Sequence, residues 1–243
     1  MGRYSASHAA VELRSAIETH GVARLIVATG ASQFEVLKHL VAEPNIDWSR
    51  VHGFHLDEYV GIADNHGASF CRYLKERFVD QVPLASFHFL RGDVDPAETI
   101  RVASDSVATA PVDVALVGIG ENGHLAFNDP PADFETEDPY LLVELDEPCR
   151  QQQVGEGWFE SIDTVPTHAI SMSIRQILKT RSIFCSVPDE RKAKAVCDTL
   201  CEPVGVTVPA SALRNHEKTT LVIDEAAASQ LPQEVLDSAE RFS

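Results

Sequence analysis

The sequence contains no long apolar run and no recognisable signal segment. No stretch approaches the 18 consecutive apolar residues that indicate a membrane-spanning helix. The first ten residues, MGRYSASHAA, have no apolar core of the kind that a secretory signal requires. These absences predict a protein without a membrane partner, and the cytoplasm is its expected location.

Basic charge and paired cysteines are also scarce. The chain has 20 basic and 37 acidic residues, a net charge of −17, and a field of that sign repels nucleic acid. Among the five cysteines, Cys197 and Cys201 lie four residues apart, but no nearby histidine or cysteine pair completes a zinc site. The composition predicts free thiols, no metal and no nucleic-acid partner. Any anionic ligand must therefore be held by local cations or backbone N–H groups.

The chain does contain a regular alternation of short apolar runs with helical patterns. The apolar runs predict strands at 23–29, 50–56, 86–90, 112–118, 168–174, 181–187 and 219–224. Helical periodicity predicts helices near 6–20, 32–43, 67–80, 96–109, 189–201 and 232–241. Strands that are apolar on both faces and alternate with helices form parallel sheets covered on both sides. We therefore expect an α/β fold, with a doubly wound, mostly parallel sheet in a Rossmann-like three-layer sandwich.

The region 130–166 is the least regular part of the chain. It includes the segments PPADFETEDP and QQQVGEGW. Ligands of doubly wound folds bind at the carboxyl ends of the strands. We therefore predict a single domain over residues 1–243, in which 130–166 is an insertion or a lid over that edge of the sheet.

Two polar clusters that follow predicted strands fit an anion site. Small residues at Thr29–Ser32 begin a helix and leave backbone N–H groups free for an anion such as phosphate. A plain helix cap by Thr29 or Ser32 is the alternative. In PDERK (188–192), Arg191 and Lys192 oppose the helix dipole, which is explained if both face a shared anion. Two solvated surface cations would give the same pattern.

Two further clusters carry groups that can move protons. Asp57 and Glu58 end a predicted strand, and strand alternation places one of the two carboxylates in the crevice as a candidate base. The glycines of GIGENGHLAFNDP (118–130) let the backbone turn sharply and approach a ligand. His124 of this loop lies near Asn122 and Asp129 in sequence, which makes it a candidate catalytic residue.

The segments FHLDEYVGI (54–62) and GIGENGHLAFNDP resemble the glucosamine-6-phosphate deaminase (isomerase) family, relatives of the 6-phosphogluconolactonases. The segments VATGAS (27–32) and ERKAKAV (190–196) extend the resemblance over nearly the whole chain. The lactonase branch also has a glycine-histidine loop, but it lacks Asp-Glu-Tyr-Val-Gly and usually continues with Ser-Leu-Phe-Pro. Here the loop continues with Ala-Phe-Asn, as in deaminases.

The resemblance implies a small-molecule sugar-phosphate substrate and a reaction that needs no cofactor or metal. An amino-sugar phosphate would be converted to a ketose phosphate and ammonia through an enol intermediate. Asp57 matches the aspartate that moves a proton between C2 and C1 of the open-chain sugar. His124 matches the histidine that helps to open the pyranose ring. The resemblance leaves the formation of a homo-oligomer open.

The resemblance also implies the residues that bind substrate. Those assigned to the 6-phosphate are Thr29, Gly30, Ala31, Ser32 and Lys192. Those assigned to other parts of the substrate are Glu58 and Gly123. The resemblance thus assigns the substrate's phosphate group to the anion site that the residues after the strands suggested.

Three positions depart from the family pattern. Asn122 replaces the usual aspartate two residues before the histidine, and Asp129 replaces the usual glutamate five residues after it. Gly157 precedes the aromatic pair where a phosphate-binding arginine is expected, and Arg150 is an upstream substitute. Either ring opening is weakened, or the acid–base wiring has changed so that Asp129 balances an imidazolium. We favour the second hypothesis, in which Asn122 and Asp129 are both part of the catalytic set.

Two other functions stay open at the level of sequence. A lactone hydrolase would use the histidine to activate water, and the Asp-Glu-Tyr segment argues against it. A non-catalytic sugar-phosphate sensor would keep the pocket and lose the catalytic set. Asn122 favours the sensor, and the presence of Asp57 opposes it.

Overall fold

The computed structural model describes residues 1–242 and contains nine strands and eight α-helices over that range. The strands are β1 (Ala23–Val27), β2 (Val51–His55), β3 (Asp57–Tyr59), β4 (Ser86–His88), β5 (Val114–Val117), β6 (Tyr140–Glu144), β7 (His168–Met172), β8 (Ser182–Val187) and β9 (Thr219–Ile223). The helices are α1 (Gly2–His20), α2 (Phe34–Leu40), α3 (Phe70–Arg77), α4 (Pro96–Val107), α5 (Glu147–Gly155), α6 (Ile174–Leu178), α7 (Ala193–Cys201) and α8 (Gln233–Ser238).

Six strands form a parallel sheet in the order β4-β2-β1-β5-β8-β9. The chain passes from β1 to β2 and β4 on one side, then returns to place β5, β8 and β9 on the other side. The strand order therefore reverses between β1 and β5. In doubly wound sheets such a reversal opens a crevice at the carboxyl ends of the strands.

Alternate residues of the central strands pack into two separate cores. Leu25 and Leu116 pack with α1, α2 and α3 on one face of the sheet. Ile26 and Ala115 pack with α4, α6 and α7 on the opposite face. Both faces are therefore apolar because both are covered by helices. This arrangement confirms the predicted three-layer α/β fold.

Helix α1 shows how the local sequence determines one of these layers. Its buried residues Ala6, Ala9, Ala10 and Leu13 follow helical spacing, so they form one apolar stripe against the sheet and α2. Gly21 ends the helix with φ 79°, in the left-handed region that favours glycine.

The structure corrects the prediction for strand 168–174. β7 does not join the parallel sheet, because β5 pairs directly with β8. β7 instead forms a three-stranded antiparallel sheet with β3 and β6. β3, β6, α5 and α6 were not predicted. β3 has only three residues, and β6 is half-exposed, so neither has a buried apolar run.

The region 130–166 contains regular structure: β6, α5 and a short 3-10 helix at Ile162–Thr164. Whether it moves as a lid stays a prediction. The five cysteines are free thiols. Within residues 1–242, no helix is both long and apolar enough to cross a membrane.

Candidate active site

A cavity lies where the carboxyl ends of β2, β1, β5 and β8 meet. Its wall includes Thr29–Ser32 after β1, Asp57 after β2, His124 after β5 and Lys192 after β8. The structure thus brings together side chains that the sequence placed at four separate strand ends. We call the part around Asp57, His124 and Asp129 the histidine end. The part around Thr29–Ser32 and Lys192 is the lysine end.

Asp57 is a buried carboxyl group at the histidine end. The residue is 7% exposed, and its Oδ1 has no hydrogen-bond partner within residues 1–242. Burial raises the pKa of Asp57 to about 8, and the negative charge of Glu58 adds to this effect. A carboxyl group with that pKa takes up and releases protons near neutral pH, as a general base must.

Glu58 lies on the other side of β3 and does not line the cavity. Its carboxylate accepts hydrogen bonds from the backbone N–H groups of Tyr59, Phe70 and Cys71 and from the hydroxyl of Ser69. Its role is to hold the first turn of α3, where a helix dipole favours negative charge. The alternation of Asp57 and Glu58 is as predicted, but the placement of Glu58 does not support its assignment to substrate binding.

The imidazole of His124 fits against the backbone of Gly120. A Cβ atom at position 120 would lie 2.2 Å from Nε2 of His124, so any side chain there would displace the ring. Gly118 similarly lets the loop approach Ser32, because a Cβ at position 118 would lie 2.8 Å from the Ser32 hydroxyl oxygen. These two glycines make room for neighbouring side chains. Gly123 does not line the cavity and adopts φ 82°, so its role lies in the turn.

Asp129 is the carboxylate next to the His124 ring. Oδ1 of Asp129 lies 3.0 Å from Nδ1 of His124, although the ring N–H does not point along a linear hydrogen bond. Such contacts in unliganded sites often align when substrate binds. Burial acts to raise the pKa of Asp129, but His124, the Asn122 amide and the Asp146 N–H outweigh it and lower that pKa.

Asn122 lies between two carboxylates. Its Nδ2 donates hydrogen bonds to Asp129 (3.0 Å) and to Asp146 (3.2 Å and 3.4 Å to its two oxygens). Its Oδ1 accepts from the backbone N–H of His124 and not from the ring. An aspartate at position 122 would place a third negative charge among these oxygens. A neutral amide is therefore the side chain that fits this position.

Cys149 completes a group of three side chains whose possible metal-binding atoms all lie within 4.8 Å, the others being His124 and Asp129. Burial raises the pKa of the Cys149 thiol, and the nearby Asp129 and Asp146 raise it further. A metal-binding cysteine acts as a thiolate. Without a metal ion the Cys149 thiol is the neutral neighbour of Asp129, and the group is a geometric candidate only.

The lysine end begins with a short 3-10 helix at Ala31–Gln33. Gly30, the residue before this helix, has φ 88°, and no side chain caps the helix. Thr29 and Ser32 are therefore not the helix caps considered as the alternative. The first N–H groups of a helix lack intrahelical partners, so those that border the cavity are available to an anion.

Arg191 and Lys192 both line the cavity, as expected for residues that face a shared anion. Lys192 is buried, whereas the Arg191 side chain is 45% exposed. Burial lowers the pKa of Lys192, and the charge of Glu156 opposes that change. Asp189 holds Arg191 through a 2.9 Å ion pair and itself has φ 85°, in the region that favours glycine. Strained backbone of this kind is concentrated at functional sites.

Arg150 does not replace the missing arginine. Its guanidinium donates to the carbonyl oxygens of Ile162 and Val165, and it does not line the cavity. The sequence placed Arg150 upstream of the aromatic pair, but α5 directs this side chain toward the 162–165 turn.

The sequence pattern did not indicate the contribution of α5 and the residues after it. Gln152, Gln153, Glu156 and Trp158 all line the cavity. Asp146 caps α5 by accepting from the Cys149 N–H, and a proline stands in the first turn. An aspartate cap followed by proline is a helix-start signal, so the helix was predictable although its position beside the site was not.

The family whose model matches this chain is described as glucosamine-6-phosphate isomerases/6-phosphogluconolactonase, and the match covers residues 1–222. Glucosamine-6-phosphate deaminases of Streptococcus pneumoniae strains 70585 and TIGR4 are each 37% identical to it over 213 residues. The matched part is 87% of this chain and 88% and 89% of those two proteins.

Solved structures agree with the sequence comparison. A monomeric glucosamine-6-phosphate deaminase superposes with a TM-score of 0.83 at 29% identity, covering 94% of this chain and 96% of the other. A 6-phosphogluconolactonase from Thermotoga maritima superposes with a TM-score of 0.75 at 15% identity, covering 91% and 94%. At that identity, the second likeness shows the fold alone.

Proposed function

Because the chain belongs to the glucosamine-6-phosphate isomerase/6-phosphogluconolactonase family, we propose that it is a glucosamine-6-phosphate deaminase. The observation that carries this proposal is Asp57, a buried carboxyl group with a free oxygen and a pKa of about 8 in the cavity. Moving a proton between two sugar carbons needs such a group. Lactone hydrolysis needs an activated water, for which His124 alone would suffice.

Ring opening is assigned to His124. The imidazole delivers a proton to the ring oxygen and removes one from the C1 hydroxyl, which gives the open-chain aldehyde. Asp129, 3.0 Å from Nδ1, stabilises the imidazolium that is present during this exchange. Our preferred hypothesis for the histidine end is therefore the changed acid–base arrangement, in which Asp129 balances the imidazolium. Asn122 orients the Asp129 carboxylate and the His124 backbone.

Isomerisation is assigned to Asp57. Its carboxylate removes the proton from C2 while the C1 carbonyl oxygen takes a proton from solvent, which gives an enol. The protonated Asp57 then delivers its proton to C1, which gives the iminium ion of the ketose. Water adds to C2, ammonia leaves, and the proton taken from solvent is released again. The products are a ketose 6-phosphate and ammonia, and one water is consumed.

The phosphate group of the substrate is assigned to the lysine end. Backbone N–H groups of the Thr29–Ser32 loop and the buried ammonium of Lys192 are the proposed ligands. Arg191 supplies the second cation in place of the family arginine, because its side chain lines the cavity and Arg150 does not. Two cations match the two charges of a phosphate dianion, and hydrogen bonds from charged side chains to phosphate are stronger than neutral ones.

We further propose that the region 130–166 is the lid of this site, since Gln152, Gln153, Glu156 and Trp158 belong to it and line the cavity. A cytoplasmic location fits the free thiols, which are typical of reducing compartments. One structural relative is described as monomeric, and size-exclusion chromatography tests whether this chain forms a homo-oligomer.

The test is a comparison of two assays on the same preparation: ammonia release from glucosamine 6-phosphate, and hydrolysis of a 6-phosphogluconolactone. We expect ammonia and ketose phosphate in equal amounts, with no lactone hydrolysis above the spontaneous rate. Lactone hydrolysis without ammonia would replace the proposal with the hydrolase. Binding of the sugar phosphate with neither reaction would replace it with the sensor.

A further inference from the structure

We propose that Glu156 is an internal counter-ion that neutralises Lys192 before substrate binds and is displaced by the substrate's phosphate group. The inference rests on the proposed function, since it concerns the site assigned to phosphate. Glu156 would thus be a further residue of that site, one that opposes the binding of phosphate and so sets its affinity.

The need for a counter-ion follows from the burial of Lys192. Its side chain is 10% exposed, and an ammonium group removed from water is stable only when it is paired. Within residues 1–242, Glu156 is the carboxylate within 4.0 Å of its Nζ, at 3.4 Å. Glu156 is equally buried, with its side chain 10% exposed.

Glu156 is held in place by two neighbouring side chains. Gln152 donates to its Oε1 at 2.8 Å, and the indole N–H of Trp158 donates to its Oε2 at 3.2 Å. Glu156 also follows the last residue of α5, where the helix dipole disfavours negative charge. Its position therefore depends on Lys192 and these two donors.

The charged side chains of the lysine end carry no net positive charge while Glu156 is in place. Glu156 offsets Lys192, and Arg191 is paired with Asp189 at 2.9 Å and lies 3.8 Å from Glu121. No excess positive charge remains among these five side chains to receive a dianion. Phosphate must therefore replace the Glu156 carboxylate at Lys192.

The backbone next to Glu156 allows such a movement. Gly157 has φ 81°, and a Cβ built there would meet no atom within 4 Å. The Gly157 N–H donates to the Val154 carbonyl oxygen at 2.9 Å, but open space on its Cβ side and the wide conformational range of glycine let the chain rotate at this point. Displacement of Glu156 also removes an acceptor from the Trp158 indole, so Trp158 fluorescence reports it.

The experiment titrates wild-type protein, Glu156→Gln and Glu160→Gln with inorganic phosphate, following Trp158 fluorescence and heat of binding. Glu160 is exposed on the same segment, so its variant is the control for an equal change in net charge. We expect Glu156→Gln to bind phosphate about tenfold more tightly than wild type, the ratio that corresponds to 1.4 kcal/mol. Glu160→Gln should bind like wild type.

The same pair of variants in a Lys192→Ala background separates a counter-ion from simple repulsion. A counter-ion acts through Lys192, so Glu156→Gln should change phosphate affinity little once Lys192 is absent. An equal gain in both backgrounds would overturn the inference, as would equal affinities of wild type and Glu156→Gln. If phosphate binds to neither of those two proteins, the phosphate site of the proposed function fails and the inference falls with it.

Discussion

The histidine end and the lysine end of the cavity handle buried charge in opposite ways. At the histidine end, Asp57 is buried, its Oδ1 has no hydrogen-bond partner within residues 1–242, and burial raises its pKa to about 8. At the lysine end, buried Lys192 is paired with the Glu156 carboxylate at 3.4 Å. The histidine end therefore contains a carboxyl group that has no ion-pair partner and a raised pKa. The lysine end contains an ammonium group that is paired with a carboxylate.

The difference follows from what each group must do. A carboxyl group that moves protons between carbons must exchange its proton near neutral pH, and burial without a partner provides this. An ammonium group that binds phosphate must stay charged, so in the empty site it needs an anion close by. One cavity can therefore contain both a carboxyl group with a raised pKa and a lysine that is neutralised by a carboxylate.

The strongest test of the comparison removes the proton carrier at the histidine end. Asp57→Asn should lower kcat by about 10⁴-fold, the upper range for general acid–base groups, because no other carboxyl group is assigned to C2. Inorganic phosphate binding at the lysine end should be unchanged, which calorimetry would show. Near-normal turnover in this variant would remove Asp57 from the proton-transfer role.

The next test concerns the partner of His124. Asp129→Asn should lower kcat on the closed pyranose by about 10³-fold, because the imidazolium loses its balancing charge. Asn122→Asp should not raise the rate, since Asp129 and Asp146 already face that position. A faster Asn122→Asp variant, with Asp129→Asn nearly unaffected, would restore the weakened ring-opening hypothesis.

At the lysine end, Lys192→Ala should raise KM for the phosphorylated sugar by about 10²-fold, as expected when a buried charge–phosphate contact is lost. KM for the dephosphorylated sugar should change much less. Lys194→Ala is the matched control, because Lys194 is exposed two residues further on and pairs with Asp198. Equal effects on both sugars would mean that Lys192 does not contact phosphate.

The last prediction is a pH dependence of stability, which tests the raised pKa of Asp57 without measuring turnover or substrate binding. The pKa of Asp57 rises from 3.8 to about 8 on folding, so between these values the unfolded chain releases a proton that the folded protein keeps. Stability contributed by Asp57 is therefore lost as pH rises, by roughly 1.4 kcal/mol per pH unit. We expect the free energy of unfolding of the wild type, measured by urea unfolding and taken relative to Asp57→Asn, to fall between about pH 4 and pH 8. A difference that stays constant over this range would contradict a raised pKa.

Most of the fold was predictable because it depends on local patterns. Apolar runs that end in polar clusters predicted the strands around the cavity, and β1, β2, β5 and β8 confirm them. The short β3 and half-exposed β6 were missed, since neither has a buried apolar run. β7 was predicted as a strand but assigned to the wrong sheet, because periodicity does not specify a strand's partner.

The site residues that directly follow strand ends were predictable from the sequence. Those whose surroundings depend on contacts between distant parts of the chain were not. The environment of Asn122 depends on Asp146, 24 residues away in sequence. The pairing of Lys192 with Glu156 spans 36 residues. Arg150 and Glu58 seemed suited to the site by sequence position, but hydrogen bonds to the 162–165 turn and to α3 hold them elsewhere.

The most direct measurement follows turnover of glucosamine 6-phosphate deuterated at C2. We predict equal amounts of ammonia and ketose 6-phosphate, a slower rate than with the undeuterated substrate, and loss of both products in Asp57→Asn. These results would show that the C2 proton is removed by Asp57 during catalysis. Absence of ammonia with the wild-type protein, or product formation by Asp57→Asn at the wild-type rate, would contradict this mechanism.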